Sequence, residues 1–311
     1  MIKEVDFFLV GAMKAGTTTL FDGLLKNNQI FMPIEKEPFY YVWSTLDREM
    51  VLPANKKKLI SYERWKIFDT KDKYKKLFSK CSENQICGEA STFYLPHKSA
   101  AEAIKGDNPN ARIIIILRNP VDRAYSAYNF QASFSLEPAE TFEDAIDQEL
   151  SGLRDDWLYG WRHIYCGMYY QQVKKYIDTF GCERVLIQLQ DDLKSDRQKV
   201  MDRCFDFLNV EKIEIDGAQS SNITVLPSNQ IGKILHFLFS RPNLVKDSLK
   251  KFLPLRYRRI IKNNLMARIA KTGARPAAIN PETRVKLTGL FYKDIFALEN
   301  LIGKDLSLWY K

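Results

Sequence analysis

Histidine is scarce in this chain, three in 311 residues, and the five cysteines stand singly at Cys81, Cys87, Cys166, Cys182 and Cys204. An odd, scattered set supplies neither the close pairs of a zinc site nor a disulfide framework, so reduced thiols in core or incidental positions are expected. No apolar run is long enough to cross a bilayer; the longest, such as Ile113 to Leu117, are strand-sized. Met1 is followed within a few residues by the first strand, so no secretory leader is expected. A cytoplasmic location is expected, with peripheral membrane contact left open. Internal repeats and low-complexity tracts are also lacking. A hydrophobic content of 45% suits an ordinary globular enzyme, and residues 1–311 are expected to form one domain.

Acidic charge is nearly missing from one stretch. Between Arg241 and Arg275 eleven Lys or Arg face the single acid Asp247, so this stretch carries the whole net excess of +9. Three readings stay open: a solvated helical face, a contact for a phosphate or an anionic substrate, and a membrane-surface helix. The last rests on Leu249, Phe252, Leu253, Ile260, Ile261 and Leu265, which interleave with the charges. Nucleic acid is not an expected partner, because no recognition motif or stacking platform accompanies the charge.

What is present is an alternation of strand and helix patterns. Strands are expected at 5–10, 84–88, 112–117 and 184–189. Helices are expected at 17–27, 98–106, 121–133, 141–150, 167–180, 195–208 and 281–302. Continuous apolar strands such as Arg112 to Leu117 are buried on both faces, which implies a parallel sheet flanked by helices with ligands at the carboxyl ends of the strands. The fold class is therefore α/β, a P-loop-like three-layer arrangement. Residues 42–82, rich in Lys, Trp and Tyr, read as an insertion that could wall or cover a substrate, and 230–280 as a basic helical segment.

Residues 7–20 read as a buried strand that breaks at Gly11 into a tight loop and then opens a helix. Amides converging in such a loop, added to the positive end of the helix dipole, make a phosphate site. The Walker A spacing holds from Gly11 to Gly16, but Thr17 stands where its lysine belongs and Lys14 lies inside the loop, which argues against an ordinary ATPase or GTPase.

Gly11-Ala12-Met13-Lys14-Ala15-Gly16-Thr17-Thr18-Thr19-Leu20 resembles the 5′-phosphosulfate loop of sulfotransferases, which take a sulfuryl group from 3′-phosphoadenosine 5′-phosphosulfate (PAPS). Residues 112–128 are similar to that family's 3′-phosphate element, with Arg118 ending a strand and Ser126 eight residues later. The resemblance covers most of residues 5–210 and, more weakly, the last 35 residues. It implies PAPS as co-substrate. The 5′-phosphate would be held by the amides of Ala15, Gly16 and Thr17 and the hydroxyls of Thr17, Thr18 and Thr19, and the 3′-phosphate by Arg118 and Ser126. Lys14 would be the cation beside the bridging oxygen, where charge accumulates. A sulfuryl group carries less charge than a phosphoryl group, so no metal is demanded. Arg123 is expected either to position this element or to form an ion pair. Lys271 and Arg275 match a basic loop that family members close over the nucleotide.

For the base the resemblance leaves two choices. Ile34-Glu35-Lys36-Glu37-Pro38-Phe39-Tyr40-Tyr41 is similar to the heparan sulfate type, where a glutamate takes the acceptor proton. Glu37 is then the base, and Lys36 contacts donor or acceptor. In the cytosolic small-molecule type the base is a histidine ahead of the 3′-phosphate strand, which keeps His97 as the alternative; His163 and His236 are expected to be structural. Gly88 to Leu95 resembles a Gly-Glu-Lys-Ser element and puts Glu89 on the substrate side, but Ala90 replaces the lysine that engages a polyanionic sugar chain. The expected activity is sulfuryl transfer to a hydroxyl of a carbohydrate or glycolipid. Alternatives are a non-sugar alcohol or a carrier-bound acyl chain, whose acidic carrier would dock on 241–275, and a nucleotide-binding or membrane-surface protein without transfer activity.

Overall fold

The computed structural model describes residues 4–43, 68–134, 136–215 and 276–311. These contain five strands, β1 (Phe7–Gly11), β2 (Ile30–Phe31), β3 (Ile86–Ala90), β4 (Arg112–Leu117) and β5 (Val185–Leu189). All pair in parallel, in the order β2-β3-β1-β4-β5. Every β1 residue is buried, as is every β4 residue after Arg112, so helices cover both faces of the sheet. The chain runs from β1 to the far edge, returns through β3, and crosses to β4 on the other side of β1. The carboxyl ends of β1, β3 and β4 therefore border one crevice. Gly88 pairs with Phe7, whose ring crosses it so closely that a Cβ on residue 88 would lie 2.0 Å from Phe7 Cζ.

The helices are α1 (Thr17–Leu24), α2 (Lys71–Lys76), α3 (Ala100–Asp107), α4 (Pro120–Ser133), α5 (Phe142–Leu150), α6 (Tyr169–Phe180), α7 (Gln190–Ser195), α8 (Arg197–Leu208) and α9 (Pro281–Ile302). α1 packs with α8, and α6 with α3 and α9. α4 and α9 begin alike: an Asn Oδ1 accepts the first free amides (Asn119 from Val121 at 2.9 Å, Asn280 from Glu282 at 2.9 Å) and a proline takes the first helical position.

β4 and α9 have their expected bounds. The helix expected at 195–208 is α8, which begins two residues later because Asp196 leaves the helical conformation and its carboxylate accepts from Lys199 N at 2.9 Å; Ser195 ends the short α7, which was not expected. β2 escaped notice because two residues carry no periodicity. Of the insertion at 42–82, 42–43 and 68–82 are described, the latter containing α2; 44–67 lies outside the described residues. So does 216–275, and with it most of the basic segment, His236, Lys271 and Arg275. Cys87, Cys166 and Cys204 are buried, and burial pushes the thiols of Cys166 and Cys204 up to about 12.

Candidate active site

The loop between β1 and α1 is anchored at one end by Ala12 N–H donating to Ile116 O on β4, 2.6 Å. Gly16 caps α1 with φ 107°, a conformation that suits glycine, and contributes no side chain. α1 has no acidic residue in its first turn, and no side chain caps its N-terminus. Its first amides thus point into the crevice without a protein partner among the described residues, which is the arrangement of an anion site. One expected donor drops out. The Ala15 amide is used within the loop, donating to Ala12 O at 3.2 Å, so the open donors begin at Gly16 and continue through Thr17 and Thr18. The Thr17 side chain is buried, while those of Thr18 and Thr19 are half-buried.

Lys14 adopts φ 68°, and its carbonyl accepts from Arg118 Nη1 at 3.2 Å. Burial, reinforced by the Arg118 charge, pulls the Lys14 ammonium down to about 8. Arg118 is lowered too, by burial first, and its Nε is buried with no hydrogen-bond partner among the described residues. Two partly desolvated cations and an unused guanidinium donor at the end of β4 fit an anionic nucleotide. Ser126 is half-buried on α4, two turns past Arg118. Asn119, which starts that helix, donates to Trp309 O at 3.5 Å, and Trp309 Nε1 donates to Asp191 at 3.1 Å, so the C-terminal turn packs against the start of α4. Arg123 positions rather than pairs. It is fully buried, donates to His163 O, and has no ion pair among the described residues.

The Glu37 segment lies against both β3 and α1. Lys36 Nζ donates to Thr18 Oγ1 at 3.3 Å and sits 4.6 Å from the Phe21 ring centre. Burial lowers the Lys36 ammonium, opposed by the charges of Glu37 and Asp22. Glu37 has φ 59° and donates its amide to Ala90 O at 3.0 Å. Its carboxylate accepts from Thr92 N at 2.7 Å and from the Thr92 hydroxyl at 3.2 and 3.3 Å. Phe39, with φ 55°, donates its amide to Ser91 Oγ at 3.2 Å. Lys36 thereby joins the carboxylate-bearing segment directly to the first turn of α1.

Two expected residues are enclosed. Glu89 is fully buried, and its carboxylate accepts from Tyr74 OH at 2.7 Å and Tyr94 OH at 3.0 Å. Burial pushes it up to about 7. It ties α2 to the sheet from inside the core. His97 is 1% exposed; its Nδ1 accepts from Ser99 N at 3.3 Å and its carbonyl from Lys175 Nζ. The ring stands edge-on to Tyr159 at 6.2 Å, behind a row in which Tyr159 meets Phe93 and Phe93 stacks on Phe39 at 4.5 Å. His163 is structural as expected: buried, lowered by that burial, and 3.2 Å from Glu137, which also holds Arg154 at 2.7 Å.

Sequence reasoning missed Thr92 and Phe130. Thr92 lies within the Gly88–Leu95 element, one turn past the strand end, and its partner is 55 positions away. Phe130 lies four residues beyond Ser126, an offset that places both on one side of α4 and was the available signal.

A family description, sulfotransferase domain, matches residues 4–225. Human carbohydrate sulfotransferase 15 is 24% identical over 244 residues, covering 66% of this chain and 43% of that protein. Human heparan sulfate glucosamine 3-O-sulfotransferase 3B1 is 26% identical over 144 residues, covering 46% of this chain and 36% of that protein. The chain thus spans less than half the length of these curated relatives. The crystal structure of a sulfotransferase from Alicyclobacillus acidocaldarius superposes with a TM-score of 0.73 at 26% identity, covering 99% of this chain and 100% of that one. The family match takes in the loop between β1 and α1, Glu37, Arg118 and the whole parallel sheet, and the chain belongs to the sulfotransferase domain family.

Proposed function

We propose that this protein moves a sulfuryl group from PAPS to a hydroxyl of a carbohydrate or glycolipid. One observation carries the reading: the segment bearing Glu37 is tied through Lys36 and Thr18 to the uncapped helix beside Lys14 and Arg118. A carboxylate acceptor and a cluster of desolvated cations thus flank one crevice. The donor supplies the sulfuryl group; everything else is done by side chains and amides of this chain. The amides of Gly16, Thr17 and Thr18 hold the 5′-phosphate, and Arg118 with Ser126 holds the 3′-phosphate. Lys14 offers its ammonium to the charge that grows on the bridging oxygen. Glu37 takes the proton of the acceptor hydroxyl, with its carboxylate aimed by Thr92. Lys271 and Arg275 belong to this proposal as additional contacts to the nucleotide.

The carbohydrate class is supported by the relatives, which are carbohydrate and heparan sulfate sulfotransferases, and by the choice of Glu37 over the enclosed His97. The test is incubation of the purified chain with sulfur-labelled PAPS and a panel of sugars, glycolipids, simple alcohols and carrier-bound hydroxyacyl chains. Label is expected on a sugar hydroxyl. Label confined to alcohols or acyl chains refutes the acceptor class, and tight binding of adenosine 3′,5′-bisphosphate without turnover on any hydroxyl refutes transfer itself.

A further inference from the structure

Phe130 is a large apolar side chain left 38% exposed on α4, and the Lys14 ammonium lies 4.1 Å from the centre of its ring. The backbone of Lys14 is fixed separately, by its left-handed φ and by the Arg118 hydrogen bond to its carbonyl. That leaves the long side chain, whose rotamer freedom is costly to freeze, without a constraint of its own. The electron-rich face of an aromatic ring supplies one, since it attracts an ammonium within about 6 Å and does so more strongly where water is excluded. Phe130 shares a face of α4 with Ser126, so the ring that meets Lys14 lies on the donor side of the helix.

We propose that Phe130 is a positioning residue, whose ring backs the Lys14 ammonium, keeps it charged, and holds it toward the anion-binding loop. The inference rests on the reading of Lys14 as the cation of the transfer. Burial and Arg118 both disfavour the charge on Lys14, leaving it at about 8, and Arg118 is the charged group that acts on it; Asp122 and Asp191 act on Arg118. The ring works in the opposite direction. Leucine or methionine at 130 would keep apolar volume and contact with Phe134, which packs edge-on at 5.0 Å, but would present no such face. Tyrosine would keep it.

The experiment measures kcat, donor and acceptor KM, thermal midpoint and pH profile for the wild-type chain and for Phe130→Leu, Phe130→Met, Phe130→Tyr and Lys14→Met. In Phe130→Leu and Phe130→Met, kcat should fall about 3–30-fold and the alkaline limb should move down by about 0.5–1.5 pH units. Acceptor KM should hold, and Phe130→Tyr should restore both quantities. An unmoved alkaline limb in Phe130→Leu and Phe130→Met, with Lys14→Met inactive, overturns the inference and leaves the role of Lys14 standing. A loss of kcat that tracks a lowered thermal midpoint in all three Phe130 variants, with the limb fixed, makes Phe130 a packing residue and overturns it too. Full turnover in Lys14→Met removes the reading of Lys14, and the inference with it.

Discussion

Arg118 makes two separable contributions, and Arg118→Ala measures both. Its Nη1 donates to the Lys14 carbonyl at 3.2 Å, which shapes the loop proposed for the 5′-phosphate and so should affect any adenine nucleotide with a 5′-phosphate. Its buried Nε has no partner among the described residues and is assigned to the 3′-phosphate. The backbone at 118 has its own anchor, Tyr169 OH donating to its carbonyl at 3.0 Å, so truncating the side chain should leave the strand end in place. A hydrogen bond to a charged group contributes about 1.5–3 kcal/mol. AMP should therefore lose the first contribution alone, and adenosine 3′,5′-bisphosphate both. The second ligand should weaken by a further factor of about 10–150 relative to the first. Arg118→Lys, which keeps the charge but not the planar fork, should fall between. Titration calorimetry of the three proteins with both nucleotides reads this directly, and a thermal melt checks that the variants are folded. Equal weakening of the two nucleotides would refute the assignment of Arg118 to the 3′-phosphate.

Glu37→Gln keeps the shape and still accepts from Thr92 N, so nucleotide affinity should survive while turnover falls by about 10²–10⁴-fold; His97→Asn should cost much less, and the opposite pattern in steady-state kinetics would transfer the proton to His97. Glu89 titrates near 7 when folded against 4.5 as its ordinary value, so the native state binds the extra proton between those pH values. Its contribution to stability is full below 4.5 and is lost as pH rises through about 7, by up to about 3 kcal/mol. Glu89→Gln should flatten that decline in melts between pH 4.5 and 8, and an unchanged slope would count against a proton on Glu89. Because cations and amides of this chain are assigned to the phosphates, EDTA should leave turnover nearly intact; a loss that added Mg²⁺ restores would sink the mechanism.

The legible parts of the molecule are those whose cause is local. Arg112 to Leu117 announces a doubly buried strand by its unbroken apolar run, and Asn280-Pro281 announces a helix start by chemistry confined to two residues. The tight turn between β1 and α1 was legible for the same reason, since Gly11, Lys14 and Gly16 lie within a few positions of each other. The partners of Glu89 were hidden because burial is a property of the assembled core: Tyr74 reaches it from α2, within the insertion. A carboxylate beside a strand end looks the same in sequence whether it faces a crevice or a pair of tyrosines. The Ala15 amide was misjudged on a finer scale, by the path of one tight turn.

The strain in the site shows how fold and chemistry are joined. Among the described residues, four non-glycine residues have left-handed φ. Asn209 ends α8, a position where asparagine is common. The other three are Lys14, Glu37 and Phe39. Such conformations cost of order 1–3 kcal/mol each and persist only where surrounding contacts dictate them. Here each set of contacts comes from the carboxyl end of a buried strand. Arg118, just past β4, holds the Lys14 carbonyl; Ala90 and Thr92, at and beyond the end of β3, hold Glu37; Ser91 holds the Phe39 amide. The parallel sheet is thus the rigid body to which both strained segments are fastened. The assigned cation and the assigned base sit on different segments, but their spacing is set by β4 and β3 lying on either side of β1. Loosening either fastening should disturb transfer before it disturbs the fold, because the restraints lie at strand ends while the core lies between them.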